Sequence, residues 1–176
     1  MESVVDAELR RRLDAGGVSY CVVGATALAV HGYVRTTGDV DLLTMDERIL
    51  TEEFWGGASV KIRRGAWDDP LAGSVVWKSA IQHDVIAGRG YAAQFALQSA
   101  ADNERLGCRV ATPLGLVLMK LEAGSAQDLY DVLALMERRR LIDGAPWVPE
   151  IARHLPQLSA GARDAWTRLQ SLTKQG

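Results

Sequence analysis

The chain has 176 residues, 48% hydrophobic and 24% charged, with a formal net charge of −2. That composition excludes disordered and fibrous classes, and the charge balance excludes a bulk basic surface while leaving room for a local basic groove. No apolar run approaches the ~18 residues that cross a bilayer, and Met1 to Arg12 is too charged for a secretory signal, so the expectation is a cytoplasmic protein with no membrane contact.

Residues 4–14 put Val5, Leu9 and Leu13 on one helical face, and Gly16-Gly17 ends that helix. Ser19 to Val23 reads as a strand broken by Gly24, and Ala25 to Val30 as a short helix ending near His31-Gly32. Asp39 to Leu43 alternates acidic and apolar residues as a strand does. Glu47 to Phe54 reads as a helix. Ser59 to Ile62 and Ser74 to Trp77 read as strands around a turn-rich loop, Gly65 to Gly73. Ile81 to Ile86 is a further strand, Tyr91 to Ser99 a helix, and Cys108 to Ala111 a last strand. Cys21 and Cys108 fall in strand-like stretches and are expected as buried, reduced core residues.

From Pro113 the pattern turns helical: Leu114 to Glu122, then Ala126 to Arg138 capped by Ser125 with Asp128 three positions on, then Val148 to Leu155 and Ala160 to Leu172. Leu129, Val132, Leu133 and Met136 form the expected buried face of the second of these, and Trp147 and Trp166 are expected in the core. The fold class is therefore α+β: a mixed sheet with flanking helices over 1–112, and a helical C-terminal lobe over 113–176 packed on it as a single compact unit.

The segment from Val22 to Leu43 carries the chemistry. Asp39 and Asp41 lie two apart on a strand and share a face, with Cα atoms ~6.5–7 Å apart; Val40 and Leu42 face the core. Two parallel carboxylates suit a hard divalent cation such as magnesium, which takes one or two protein carboxylates and fills its other sites with water and phosphate oxygens. If the strand extends backwards, Arg35 and Thr37 share that face, and Arg35 either neutralises the acids or holds a phosphate. The turn at Gly24 and Ala25 leads into a helix start, a place where free amides meet anions; Thr26 either caps that helix or donates to a phosphate. Asp84, between His83 and Val85, is a third acid: a metal ligand, a general base or a surface residue. Lys120 stands in an apolar helix and must pair or reach solvent, with Asp128 as the natural partner.

Gly24, Ala27, Leu28, His31, Gly32, Arg35, Thr37, Asp39, Asp41 and Leu42 together resemble the signature of the nucleotidyltransferase superfamily that includes DNA polymerase beta. They are most similar to small bacterial proteins related to the AbiEii toxins. Lys120, Asp128 and Asp131 resemble that family's later lysine and paired acids. The resemblance implies a nucleotidyltransferase-like fold and an NTP substrate whose triphosphate meets Gly24, Ala25 and Thr26. It implies two Mg2+ ions on Asp39, Asp41 and Asp84, and a catalytic role for Lys120. The acceptor is a tRNA, a protein or a small molecule, and a cognate toxin or antitoxin is an implied partner. The alternatives are a non-catalytic nucleotide-binding relative and an antitoxin. Ala25 stands where the family has a second Gly or Ser, and Gln127 where it often has a basic residue.

Overall fold

The computed structural model describes residues 3–67, 69–143 and 147–173. The loop expected at 65–73 includes residue 68, and the lobe expected at 113–176 includes 144–146 and 174–176; these lie outside the described residues. In chain order the elements are α1 (Ala7–Ala15), β1 (Cys21–Val22), α2 (Gly24–Val30), β2 (Asp39–Thr44), a 3-10 turn (Glu47–Leu50) and α3 (Glu52–Trp55). Then come β3 (Val60–Arg64), β4 (Leu71–Lys78), β5 (Gln82–Gly88), α4 (Gly90–Ser99), β6 (Ala101–Asn103) and β7 (Cys108–Val110). The C-terminal helices are α5 (Pro113–Ala123), α6 (Ala126–Asp143), α7 (Val148–His154) and α8 (Ala160–Thr173).

The seven strands form one mixed sheet in the order β3-β4-β5-β2-β1-β7-β6. β2 and β5 run parallel at its centre, and the β3–β4 hairpin extends the sheet beyond β5 by antiparallel pairing. β1 bridges the halves, antiparallel to β2 and parallel to β7. Strand alternation gives β2 through β5 two unlike faces. Val40 and Leu42 of β2, His83, Val85 and Ala87 of β5, and Val75 and Trp77 of β4 are buried on one of them. Trp77 meets Trp55 of α3 with ring centroids 6.0 Å apart, and His83 Nε2 accepts from the Asp6 backbone amide at the start of α1. The opposite face carries Asp39, Asp41 and Asp84. Over β1 and β2 it is covered by α4, on which α5 packs, and a single hydrophobic cluster runs from α1 through the sheet to Leu169 of α8.

Several local expectations change. Glu47 to Phe54 is not one helix: it breaks at Thr51, whose side chain leaves the 3-10 turn to cap α3 by accepting from the Phe54 amide. β6 is a strand with no β-branched or aromatic residue, formed because it pairs with β7. Cys21 is buried, but Cys108 is only half-buried; both thiols are free. The second C-terminal helix buries Val132 and Leu135, with Leu129, Leu133 and Met136 only partly covered.

The link from β5 into α4 leaves no room for a side chain at Gly88: a Cβ there would lie 2.6 Å from Ala93 Cβ and 2.9 Å from Leu43 Cδ1. Gly88→Ala is therefore expected to lower stability by about 1–3 kcal/mol with secondary structure retained, measured by urea denaturation followed by circular dichroism.

Candidate active site

The parallel pairing of β2 and β5 sets Asp41 directly opposite Asp84, and the alternation of β2 adds Asp39 to the same face. Each of the three side chains offers a carboxylate oxygen within 4.8 Å of the others. Thr37 Oγ1 donates to Asp39 Oδ1, and Gln82 Nε2 donates to Asp84 Oδ1 at 3.0 Å. Burial, reinforced by the charges of Asp39 and Asp84, pushes the Asp41 carboxyl up to about 6, against the smaller opposing pull of Arg35 and Lys120. A cluster that strains against its own charge in this way matches the donor chemistry of a hard divalent cation.

The turn after β1 lies against Asp41. The Val23 amide donates to the Asp41 backbone carbonyl at 2.9 Å, and Gly24 opens α2 at φ +62°. A Cβ on Gly24 would fall 1.9 Å from Asp41 Oδ2, so both the backbone angle and the close approach require glycine. Helix α2 starts earlier than the sequence implies: Val23 is its N-cap and no side chain caps it. Thr26 is therefore a first-turn residue rather than the cap, and Ala25 is buried with its methyl in the core. Gly24, the first residue of α2, thus stands directly against Asp41.

Lys120 reaches the same region from α5, whose start is fixed by Pro113 and by Thr112 Oγ1 accepting from the Gly115 amide. Only 8% of Lys120 is exposed. Its amine lies 3.0 Å from Asp128 Oδ1 and 2.6 Å from Asp131 Oδ2. Asp128 also completes a reciprocal cap with Ser125 at the start of α6: Asp128 N donates to Ser125 Oγ at 3.2 Å, and Ser125 N to Asp128 Oδ2 at 3.3 Å. Asp131 is fully buried and also accepts from Gln127 Nε2 at 3.0 Å.

Arg35 belongs to this second cluster as well, with its Nε 3.6 Å from Asp131 Oδ2. Neither Arg35 nor Thr37 is on an extension of β2, because β5 begins at Gln82 opposite Asp39 and leaves residues 35–37 without a partner strand. A cavity of about 560 Å³ opens onto Gly24, Arg35, Asp41, Lys120 and Asp128, with Met119 on its apolar wall. Thus Gly24, Arg35, Asp41, Lys120 and Asp128 share one cavity, and Asp39 and Asp84 adjoin it through Asp41. The sequence placed Asp131 on its helix without assigning it to the site; its spacing of three from Asp128 was the available signal.

No family model matches the chain, and no curated protein matches it. Among solved structures it is similar to the crystal structure of an antigenic nucleotidyltransferase-like protein from Paracoccidioides brasiliensis. The two are 16% identical, the match covers 74% of this chain and 72% of that one, and the TM-score is 0.43. Among the described residues, no helix is long and apolar enough to cross a membrane.

The raised Asp41 carboxyl fixes the sign of a pH effect. Between the ordinary value of 3.8 and about 6, the native state holds a proton that the unfolded chain has released. That contribution is complete at acid pH and is lost as pH rises through about 6. In metal-free buffer at about pH 7.5, Asp41→Asn is expected to be more stable than the parent by about 1–3 kcal/mol, with the gap closing near about pH 4, as read by urea denaturation at each pH. Lys120→Met leaves Asp131 buried without its nearest cation and is expected to lower stability by about 3–5 kcal/mol; Asp131→Leu in the same chain restores most of that loss in a double-mutant cycle.

Proposed function

We propose that the protein is a magnesium-dependent nucleotidyltransferase that moves a nucleoside monophosphate from an NTP to an acceptor hydroxyl. One observation carries this reading: Asp39, Asp41 and Asp84, drawn from two parallel strands, converge within 4.8 Å beside a helix start whose first-turn amides have no side-chain cap. The signature resemblance over Val22 to Leu43 supports the same reading.

In this proposal Asp39, Asp41 and Asp84 hold the metal. Magnesium, when bound, neutralises the triphosphate and stabilises charge on the attacking and leaving oxygens. The amides of Gly24, Ala25 and Thr26 receive phosphate oxygens, since orphan donors at a helix start favour anions. Arg35 and Lys120 supply positive charge at the cavity wall, and Asp128 and Asp131 keep Lys120 in place. Thr37 fixes the Asp39 rotamer by its hydrogen bond. The acceptor oxygen bonds to the α-phosphorus, the bond from that phosphorus to the β-phosphate bridging oxygen breaks, and pyrophosphate leaves. The hydroxyl proton passes to a carboxylate of the triad, with Asp84 assigned this role. Positioning and electrostatics do most of the work in such transfers. Membership of a toxin–antitoxin pair is part of the proposal on resemblance alone, and growth arrest on expression, relieved by a neighbouring gene product, is its test.

The central experiment incubates the protein with each α-labelled NTP, Mg2+ and bacterial RNA or extract. Transfer of label is expected, and Asp39→Asn with Asp41→Asn lowers it at least about a hundredfold. Mg2+ is expected to raise the melting temperature of the parent and leave that double variant unchanged. Absence of both label transfer and the Mg2+ shift overturns the reading.

A further inference from the structure

The face that bears the carboxylates does not end at β5. Sheet register carries it outward in straight rows, because directly paired residues on neighbouring strands point to the same side. Asp41 pairs with Asp84, Asp84 with Val76, and Val76 with Lys61. One row along, Ile86 pairs with Ser74 and Ser74 with Arg63; one row back, Asp39 pairs with Gln82 and Gln82 with Lys78. Lys61, Arg63 and Lys78 thus stand on the same face as the triad and are exposed. Three strand spacings put Lys61 about 14 Å from Asp41 across the sheet.

Lys78 ends β4 one residue beyond the last β3 pairing and is paired on its other side with Gln82 of β5, next to Asp39. Arg64, the one cation of β3 on the other face, is spent on the Leu50 carbonyl at 2.7 Å. Val76, 6% exposed, and half-buried Ser74 floor the shelf between the cations and Asp84. The hairpin turn that joins β3 to β4 then presents Trp67, 89% exposed, while Pro70 of that turn and Leu71, the first residue of β4, line the cavity that holds Asp41. Arg89 anchors this turn by donating to the Ala66 and Trp67 carbonyls, and pairs with Glu47. Asp69 of this turn accepts from the Leu71 amide.

A row of cations with an adjoining exposed indole is the combination that holds single-stranded nucleic acid: charge tracks the phosphates and the ring stacks on a base. Phosphates recur along such a strand and every base offers a face to stack on, so one ligand of this class uses both features at once. We propose that the acceptor is a single-stranded nucleic acid whose phosphodiester backbone lies on Lys61, Arg63 and Lys78, whose base stacks on Trp67, and whose terminal hydroxyl faces the triad. This rests on the nucleotidyl-transfer reading for its chemistry: the terminal oxygen bonds to the α-phosphorus, its proton goes to a triad carboxylate, and pyrophosphate leaves. The surface itself is independent of that step.

The test measures binding of fluorescein-labelled RNA and DNA oligomers of about 20 nucleotides by anisotropy, in EDTA and without NTP, across a salt series. Lys61→Gln, Arg63→Gln and Lys78→Gln together are expected to weaken binding tenfold or more at low salt. They should also flatten the salt slope by about 2, from three lost phosphate contacts at about 0.7 each. Trp67→Ala weakens binding roughly tenfold. A charge-matched control, Arg11→Gln with Arg105→Gln and Arg168→Gln, alters exposed residues on α1, the β6–β7 turn and α8, and leaves binding intact. Preference for RNA over DNA, or the reverse, identifies the acceptor sugar. Equal loss in the shelf and control variants overturns the proposal, as does displacement of the oligomer by polyglutamate at equal charge concentration, which points to an acidic protein. The Asp39→Asn, Asp41→Asn protein is expected to bind oligomer undiminished. Binding that persists where no label is transferred sinks the transferase reading and leaves the shelf standing, whereas transfer to a non-nucleic acceptor with no oligomer bound does the reverse.

Discussion

Three carboxylates held close together are the constraint around which this protein is organised. Like charges at such range repel, and burial of Asp41 removes the water that would screen them. A chain left to minimise its own energy would part them, yet the parallel register of β2 and β5 allows no relaxation: sliding either strand by one residue would turn its apolar residues, Val40 and Leu42 or Val85, out of the core toward the acid-bearing face. The apolar residues on one face thereby hold the acids together on the other. Gly24 adds a second clamp, since the turn after β1 sits so near Asp41 Oδ2 that no side chain fits between them.

The second cluster works by the opposite logic. Lys120, Asp128, Asp131 and Arg35 combine two cations with two anions, so their charges balance even though Asp131 is wholly enclosed. A buried ion pair of this kind adds little net stability compared with apolar packing, but it is intolerant of losing one member. Its consequence is geometric. Arg35 comes from the loop before β2, Lys120 from α5 and the acids from α6, so one buried carboxylate ties the loop and two C-terminal helices to a fixed position at the cavity wall. The C-terminal helices are thereby part of the site rather than an appendage to the sheet.

Where local pattern dominates, the sequence was readable. Alternation placed Asp39 and Asp41 on one face, the Ser125–Asp128 cap was visible as a spacing, and Val5, Leu9 and Leu13 announced the buried side of α1. What failed was whatever depends on a partner distant in the chain. Residues 35–37 have the parity of the strand but no neighbour to pair with, so they leave the sheet. β6 has poor strand formers and is a strand because β7 is beside it. Thr26 has the chemistry of a cap, but the left-handed Gly24 starts the helix before it is reached. Asp84, by contrast, was expected as the third acid across the sheet from Asp39 and Asp41, and the register of β2 and β5 brings it there.

The same alternation that hides the acids' neighbours also explains why half of the sheet is left uncovered. On β1 and β2 the site face is covered by α4, on which α5 packs, and there Leu43 is fully buried. Across β5, β4 and β3 that face changes from apolar to polar, through Asp84, Gln82 and Ser74 to Lys61 and Arg63, and a helix packed there would have to bury those charges without partners. The opposite face of the same strands carries the apolar residues and is covered by α1, α3 and the 3-10 turn. An enzyme whose acids were meant to meet only a small nucleotide needs no such open approach; a pocket closed on every side would exclude water better. An open face on β3 and β4, with Lys61, Arg63 and Lys78 exposed on it, fits the proposed substrate, which lies along the surface and brings only its end to the centre.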